Sequence, residues 1–423
     1  FVQGGLEPQR AVQLCQDLPL EKTNYVHVCG GTIESDDYRI QPIYHARAIH
    51  RGIARYLKEK IDTPIVLTGS VNDLALAEDI LQCGDADIIG MGRPFLAETE
   101  LMMKAASKSP FIRPCIRCNQ GCLDRVRIGR TIKCSVNPLI GNEEEILPAP
   151  NGRKRKNKQL VLIAGAGPAG ITAALRAAEM GFGAMLFEKE ADIGGLLNTA
   201  RHEEFKQDIR EYCLYLSKIV ASSDVKLISQ REVSPSLIGE VSPDYIIDAT
   251  GSLPIMPEIS EPLPYKVAES RELLYRLDEY PPVRHVFVIG GGSVGCEIAY
   301  SLAQRGASVT VIEKMSDIML DNEPVSVLAL RRYLSSSNVQ VLTSTRFTGC
   351  ISNGIGTDPP QQLHTPDLVV FALGSRRNTS LSKHCREAGW KHGINYLQVG
   401  DVRKIGRIYN AVNETFWYTN SFL

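Results

Sequence analysis

Residues 160–189 and 286–314 are two copies of one pattern, and this repeat constrains the fold more than any other feature of the chain. Leu160-Val-Leu-Ile-Ala-Gly-Ala-Gly-Pro-Ala-Gly170 runs an apolar strand into Gly165, Gly167 and Gly170. Val286-Phe-Val-Ile-Gly-Gly-Gly-Ser-Val-Gly295 runs another into Gly290, Gly292 and Gly295. Each predicts a helix and then a strand ending in Glu-Lys, with Glu188 and Glu313 both 23 residues beyond the first glycine. The spacing predicts two Rossmann-type units in one α/β chain.

Each glycine has a separate physical reason. The first permits a tight turn out of the strand, the second lets backbone approach a pyrophosphate, and the third lets helix and strand pack closely. The helix N-terminus adds partial positive charge, and the carboxylate at the next strand end is placed to accept from a ribose hydroxyl. The first unit also carries Gly194-Gly195-Leu196 just beyond Glu188. Tyr245–Gly251 reads as a buried strand, and Gln398-Val-Gly-Asp401 as a late strand running into Gly400 and Asp401. Together they predict an FAD domain closed near the chain end, with Asp401 at the ribityl chain, and a nicotinamide domain inserted in it. Glu313 favours NADH over NADPH because it repels a 2′-phosphate, a preference that Lys314 would soften.

Upstream, Ala11 to Leu101 alternates helix and strand patterns. Strands are expected at Tyr25–Cys29, Ile65–Thr68 and Asp87–Met91, with helices at 11–18, 43–60 and 74–83 between and around them. Three such units, each strand ending in glycine, fit the tail of a (β/α)8 barrel, with a doubly wound sheet as the competing arrangement. In a barrel, Gly69-Ser70 and Gly92-Arg93 end adjacent strands where the phosphate of FMN would sit, Arg93 pairing with it bidentately. His27, inside a strand, is expected in the core; His45 and His50 are expected on a helix surface. The chain opens at Phe1 directly into this alternation, and so is expected to start inside a domain.

Four of the 11 cysteines are grouped as Cys115-x2-Cys118-x3-Cys122-x11-Cys134. Three close thiols and one distant one suit the corners of a 4Fe-4S cubane better than the paired knuckles of a zinc site, although zinc and plain structural thiols stay open. Flavin and nicotinamide motifs downstream favour the cluster, since flavin converts two-electron hydride chemistry into single electrons. Cys15, Cys29, Cys83, Cys213, Cys296, Cys350 and Cys385 are expected as small buried residues. A basic, proline-bearing connector is expected at 148–158. The composition is ordinary for a globular protein, 43% hydrophobic and 22% charged, and a net charge of −1 gives no reason to expect nucleic acid or an anionic membrane as partner. No apolar run is long enough to span a bilayer and no signal peptide is evident, so a cytoplasmic location is expected.

Pro64-Ile-Val-Leu-Thr-Gly-Ser70, Gly84-Asp-Ala-Asp-Ile-Ile-Gly-Met-Gly-Arg-Pro-Phe-Leu96 and Cys115-Ile-Arg-Cys-Asn-Gln-Gly-Cys-Leu-Asp124 resemble one modular family. It comprises bacterial 2,4-dienoyl-CoA reductase, 2-enoate reductases, trimethylamine dehydrogenase and related NADH:flavin oxidoreductases. The resemblance implies the end of an old-yellow-enzyme-like FMN barrel over 1–108 and a cluster segment over 109–150. It further implies an FAD domain over 151–280 and 376–423, with a NAD(P) domain over 281–375. The implied metal ligands are Cys115, Cys118, Cys122 and Cys134; the implied FAD glycines are Gly165, Gly167 and Gly170. The implied route is NADH to FAD to 4Fe-4S to FMN, ending in reduction of an activated C=C bond of a small unsaturated substrate. Two departures bear on this. The early barrel strands, with the family's proton-donating Tyr, are expected to be missing, so no catalytic residue is assigned and this piece alone would lack a complete substrate site. Thr32-Ile33-Glu34 also stands where dienoyl-CoA reductases have Trp-His-Glu, which weakens a dienoyl-CoA reading and leaves an enoate or other enoyl-CoA type of substrate open. An electron-transfer module for a separate barrel partner, an amine dehydrogenase of the trimethylamine dehydrogenase type and a non-catalytic remnant are the alternatives. The oligomeric state stays open, a homo-oligomer included.

Overall fold

The computed structural model describes residues 1–18, 22–145, 159–259, 262–320, 322–352, 354–384 and 395–423. The connector at 148–158 and Cys385 lie outside them. The chain divides into two compact units, Phe1–Cys134 with Glu323–Ala329, and Ser135–Asn322 with Leu330–Leu423.

In the first unit, β1 (Val26–Val28), β2 (Ile65–Leu67) and β3 (Ile88–Ile89) pair in parallel in that order. Helix α1 (Pro8–Asp17) precedes β1, α2 (Arg51–Lys58) joins β1 to β2, α3 (Leu74–Gln82) joins β2 to β3, and α4 (Arg93–Ala97) follows. Each strand lies beside its successor, the succession of a barrel wall. Ile65, Leu67, Ala54, Leu57 and Ile80 share one core, so the apolar faces of α2 and α3 bury against β2. Asp73 starts α3 by accepting the Leu76 N–H at 2.7 Å, satisfying one of the unpaired amides of the first turn.

The helix expected over 43–60 is confined to Arg51–Lys58. Residues 43–50 form a buried loop instead: Ala48 takes a left-handed φ of 50° and donates its N–H to Ser70 O, outside any helix ladder. His45 and His50 are consequently buried, not on a surface. His27, in contrast, is exposed, its Nε2 3.0 Å from Thr68 Oγ1. Of the isolated cysteines, Cys213 and Cys296 are buried as expected, Cys15 and Cys350 are half-buried, and Cys29 and Cys83 are exposed. Cys29 immediately follows β1, and Cys83 is the C-cap of α3.

The second unit holds two five-stranded parallel sheets. One runs β17 (Asn395–Gln398), β7 (Tyr245–Asp248), β4 (Leu160–Ala164), β5 (Gly183–Phe187), β6 (Lys226–Ile228). The other runs β12 (Val339–Leu342), β11 (Ser308–Ile312), β10 (His285–Ile289), β15 (Leu368–Phe371), β9 (Lys266–Glu269). Their central strands are apolar and buried on both faces, which is what parallel sheets covered by helices require. The sheets order alike: the first strand of each repeat is central, with its βαβ partner on one side and a later strand on the other. A hairpin, β13 (Arg346–Ile351) and β14 (Gly354–Asp358), is added between β12 and β15 in the chain.

The chain passes between these sheets on β8 (Ser252–Pro254) and β16 (Ser375–Arg377), an antiparallel pair. Because β9 already belongs to the second sheet, the inserted segment runs from the end of β8 to the start of β16, beginning well before residue 281. The helix α5 (Pro168–Glu179) follows β4, and the C-terminal helix α9 (Ile408–Phe422) returns against it, Arg176 Nη2 donating to Asn420 Oδ1 at 2.6 Å. In the second sheet α7 (Ser270–Tyr275) follows β9 and α8 (Ser293–Gln304) follows β10.

Candidate nucleotide and cluster sites

The glycine turns are built alike in both sheets of the second unit. A Cβ on Gly170 would overlap the carbonyl oxygen of Gly165, and one on Gly295 would overlap that of Gly290. Each third glycine thus lets its helix close onto the turn. A Cβ on Gly165 would lie 2.6 Å from Ala249 O, at the end of the neighbouring strand. Gly167 and Gly292 are the residues immediately before α5 and α8, so each turn delivers its backbone to a helix N-terminus suited to an anion. Gly195 closes the first site: a Cβ there would come within 3.0 Å of Gly167 Cα.

The acidic residues repeat as well. Glu188 accepts the Ala166 N–H at 2.8 Å and the Glu190 N–H at 3.0 Å. Glu313 accepts the Gly291 N–H at 2.6 Å and the Met315 N–H at 2.7 Å. Both carboxylates are buried at the C-terminal ends of β5 and β11, and their charge-assisted bonds pin the glycine turns. A carboxylate offers about four lone pairs, so each keeps capacity for a ribose hydroxyl.

Gly400, at φ 64°, crosses the start of α5 so closely that a Cβ would lie 2.7 Å from Ala169 Cβ. Asp401 is thereby brought to the first nucleotide turn. It accepts from Ser252 Oγ at 2.9 Å and from the Gly406 N–H at 3.1 Å. Ser252 and Arg271 were not singled out in the sequence. Arg271 on α7 donates to Ser252 O at 2.8 Å and Ser252 Oγ at 3.1 Å on β8, and to Ser375 Oγ at 2.5 Å on β16. It fastens the two crossover strands together beside Asp401. A serine after the Ala-Thr-Gly strand end was the one available signal.

In the first unit, Ser70 and Arg93 meet as their strand-end positions predicted. Arg93 Nη2 donates to Ser70 Oγ at 2.8 Å, and Nη1 donates to Gln41 O at 2.8 Å and Asn119 Oδ1 at 2.6 Å. Ser70 Oγ donates in turn to Gln41 Oε1 at 3.2 Å. Gln41 lies outside every motif, and Asn119, although inside the cysteine motif, was not singled out. Gly69, with φ 117°, lies against the His50 ring, where a Cβ would come within 2.6 Å; Gly92 caps α4 with open space at its Cα. Asn119 lies between Cys118 and Gln120, so Arg93 ties the strand-end turn to the cysteine loop.

That loop is tightly wound. Arg117 and Asn119 have left-handed φ of 46° and 57°, and a π-type turn spans Gln120–Asp124. The Lys133 N–H bonds Gly121 O at 2.8 Å, and a Cβ on Gly121 would come within 3.0 Å of Cys134 Cα. The distant fourth cysteine therefore returns to the turn that bears Cys122. The Arg117 N–H points to Cys115 Sγ at 3.4 Å. Cys115 is buried and the other three are half-buried, and burial pushes the Cys122 thiol up despite the nearby Arg93. None of the ten described cysteines is in a disulfide. Among the described residues no set of three or more Cys, His, Asp or Glu side chains stands in metal-holding geometry. No described helix is long and apolar enough to cross a membrane.

Comparison with known proteins agrees with both halves of this picture. Residues 159–402 match the pyridine nucleotide-disulphide oxidoreductase family, and residues 21–111 match the NADH:flavin oxidoreductase / NADH oxidase family. An NADH oxidase of Thermoanaerobacter brockii is 31% identical over 98% of this chain and 64% of its own length. A cinnamate reductase of Clostridium sporogenes is 28% identical over 97% of this chain and 63% of its own. The solved structure of a 2-naphthoyl-CoA reductase, 26% identical, superposes with a TM-score of 0.86 over 98% of this chain and 63% of its own. The chain thus spans a little under two thirds of the length of these relatives. The chain thus belongs to the pyridine nucleotide-disulphide oxidoreductase family, and along its length it is similar to 2-enoate reductase-like NADH:flavin oxidoreductases.

Proposed function

We propose that the protein reduces an activated C=C bond of a small enoate-type substrate, with electrons running from NADH through FAD and a 4Fe-4S cluster to FMN. The observation that carries the reading is the paired construction of the second unit. Two glycine turns, each pinned by its own buried carboxylate, support two dinucleotide sites in one chain, and Asp401 lies toward the first of them. That asymmetry supports FAD at Gly165, Gly167, Gly170, Glu188, Gly195, Gly400 and Asp401, and NADH at Gly290, Gly292, Gly295 and Glu313. Glu313 is the residue that would disfavour a 2′-phosphate there.

In the first unit Ser70 and Arg93, with Gly69 and Gly92 at the same strand ends, would hold the FMN phosphate. Cys115, Cys118, Cys122 and Cys134 would hold the cluster. The all-thiol donor set, the amide directed at Cys115 Sγ and the return of Cys134 to the Gly121 turn support that fit. When bound, flavin and cluster supply the exchange between two-electron and one-electron transfer. The chain's own part is to bind, to orient and to hold these groups out of water. The C=C substrate class rests on the cinnamate and naphthoyl-CoA reductases among the relatives. Cofactor analysis of the anaerobically purified full-length gene product tests the reading: FAD, FMN and about four irons per chain are expected from one cubane, and the lack of FMN would refute it.

A further inference from the structure

A buried charge cluster that serves neither glycine turn lies where the two sheets of the second unit meet. Glu203 precedes the 3-10 turn Glu204–Lys206 of the first Rossmann unit, while Glu297 and Ser301 stand one helical turn apart on α8 of the second. Lys206 Nζ donates to Glu297 Oε1, and Ser301 Oγ donates to Glu203 Oε1 at 2.9 Å. Glu203 is 1% exposed, Glu297 6% and Lys206 9%. Among the described residues the other Glu203 oxygen, Oε2, has no hydrogen-bond partner.

Charge and solvation decide what this group holds. Two carboxylates face one ammonium in a dry site, and the ammonium sits on Glu297. A second anion at Glu203, one oxygen unbonded, would carry a large desolvation cost, whereas a neutral carboxyl needs no counter-ion. Burial, then the charge of Glu297, pushes the Glu203 carboxyl up to about 8. Burial works against a charged Lys206, yet the charge and hydrogen bond of Glu297 raise it. Three other groups lie beside the cluster, and among the described residues the buried His202 Nε2 has no hydrogen-bond partner. Arg210 of α6 (Gln207–Ala221) donates to the backbone oxygens of Glu203 and Arg201 at 2.8 and 2.9 Å. The His202 ring lies 5.5 Å from that of Tyr275 on α7, and Phe205, beside Glu204, lies 5.7 Å from Tyr300 of α8.

We propose that Glu203 is a positioning residue for flavin reduction: by holding a proton it leaves Lys206 committed to Glu297, and so keeps α8 and its glycine turn seated on the flavin-binding sheet. The role in reduction rests on reading the second unit as the NADH site; the clasp itself does not. In an opened form Glu203 meets water and returns to the ordinary carboxylate range. The seated form therefore holds one more proton than the opened one. Seating is complete at low pH, weakens as pH rises above the ordinary carboxylate range and is lost through about 8. The open-to-seated ratio rises about tenfold per pH unit within that window.

The test uses the flavin-loaded full-length protein between pH 6 and 9. Amide exchange over 293–304, corrected for intrinsic rate, reads the seating, and anaerobic bleaching of flavin by NADH reads its consequence. In the wild type, protection and bleaching rate should both fall as pH rises. Glu203→Gln, which mimics the protonated acid, should flatten both profiles. Ser301→Ala removes a bond that favours the ionised form and should leave the onset of the fall in place while extending it to higher pH, which a fold defect would not do. A wild-type fall retained unchanged in both variants, or no fall in the wild type, overturns the clasp. A normal exchange profile in a protein whose flavin NADH never bleaches overturns the role in reduction and the nicotinamide reading together, and leaves the clasp standing.

Discussion

Glu313 Oε2 accepts the Gly291 N–H at 2.6 Å, 22 residues upstream, and Glu188 holds the Ala166 N–H in the same way at 2.8 Å. The carboxylate proposed to meet the ribose is therefore also the strut of the turn proposed to meet the pyrophosphate. Glu313→Gln keeps the shape of the strut and removes the charge. The discrimination between NADH and NADPH in kcat/KM should narrow at least about tenfold, a change of roughly 1.4 kcal/mol, mainly through improved NADPH. Unchanged discrimination in steady-state kinetics would show that another group reads the 2′ position.

Gly170→Ala and Gly295→Ala place the same methyl group against equivalent carbonyls, those of Gly165 and Gly290. Overpacking of this kind costs about 1–3 kcal/mol. The consequences should separate: Gly170→Ala should purify with FAD depleted, whereas Gly295→Ala should retain FAD and be reduced by NADH at least about tenfold more slowly, the equivalent of about 1.4 kcal/mol. Flavin extraction and anaerobic stopped-flow absorbance read the two outcomes.

Arg93 joins Ser70, Gln41 and Asn119 in one hydrogen-bonded group. Arg93→Lys keeps the charge but not the planar fork. The variant should lose FMN while its FAD stays near one per chain. Equal loss of both flavins would place Arg93 in general stability and not at a phosphate.

These two units were legible in the sequence to different depths. Both glycine turns and both glutamates could be read because the requirement is local: close backbone approach admits only glycine, and the strand that follows comes at fixed distance. Ser70 with Arg93 was legible for the same reason, as two successive strand ends. Helix 43–60 was misjudged because residues 43–50 answer to distant partners. His45 Nε2 lies 3.1 Å from Asp37 Oδ2, and His50 Nε2 lies 3.1 Å from both Gln41 Nε2 and Tyr38 O. An amphipathic pattern does not reveal such partners. The crossover pair β8 and β16, 123 residues apart at Ser252 and Ser375, and the Glu203 cluster depend wholly on tertiary pairing.

Arg271 spans both crossover strands, and burial lowers its pKa although Glu269 and Asp401 counter that effect. Arg271→Lys should lower stability by about 1–3 kcal/mol, because a single ammonium replaces the fork and leaves half-buried serine groups unmatched. Urea unfolding followed by flavin fluorescence should show the midpoint moving down with the slope unchanged. A wild-type midpoint would mean that the strands are held by their ladder alone.

The central claim is that the four cysteines form a cluster that NADH can reduce through the second unit. The direct measurement is electron paramagnetic resonance of the anaerobic full-length protein after addition of NADH, for the wild type and Cys118→Ser. The account predicts a reduced 4Fe-4S signal in the wild type, and in Cys118→Ser its loss while FAD is still bleached by NADH. Zinc without iron at the cysteines, or an iron–sulfur signal that NADH leaves unchanged, would contradict it.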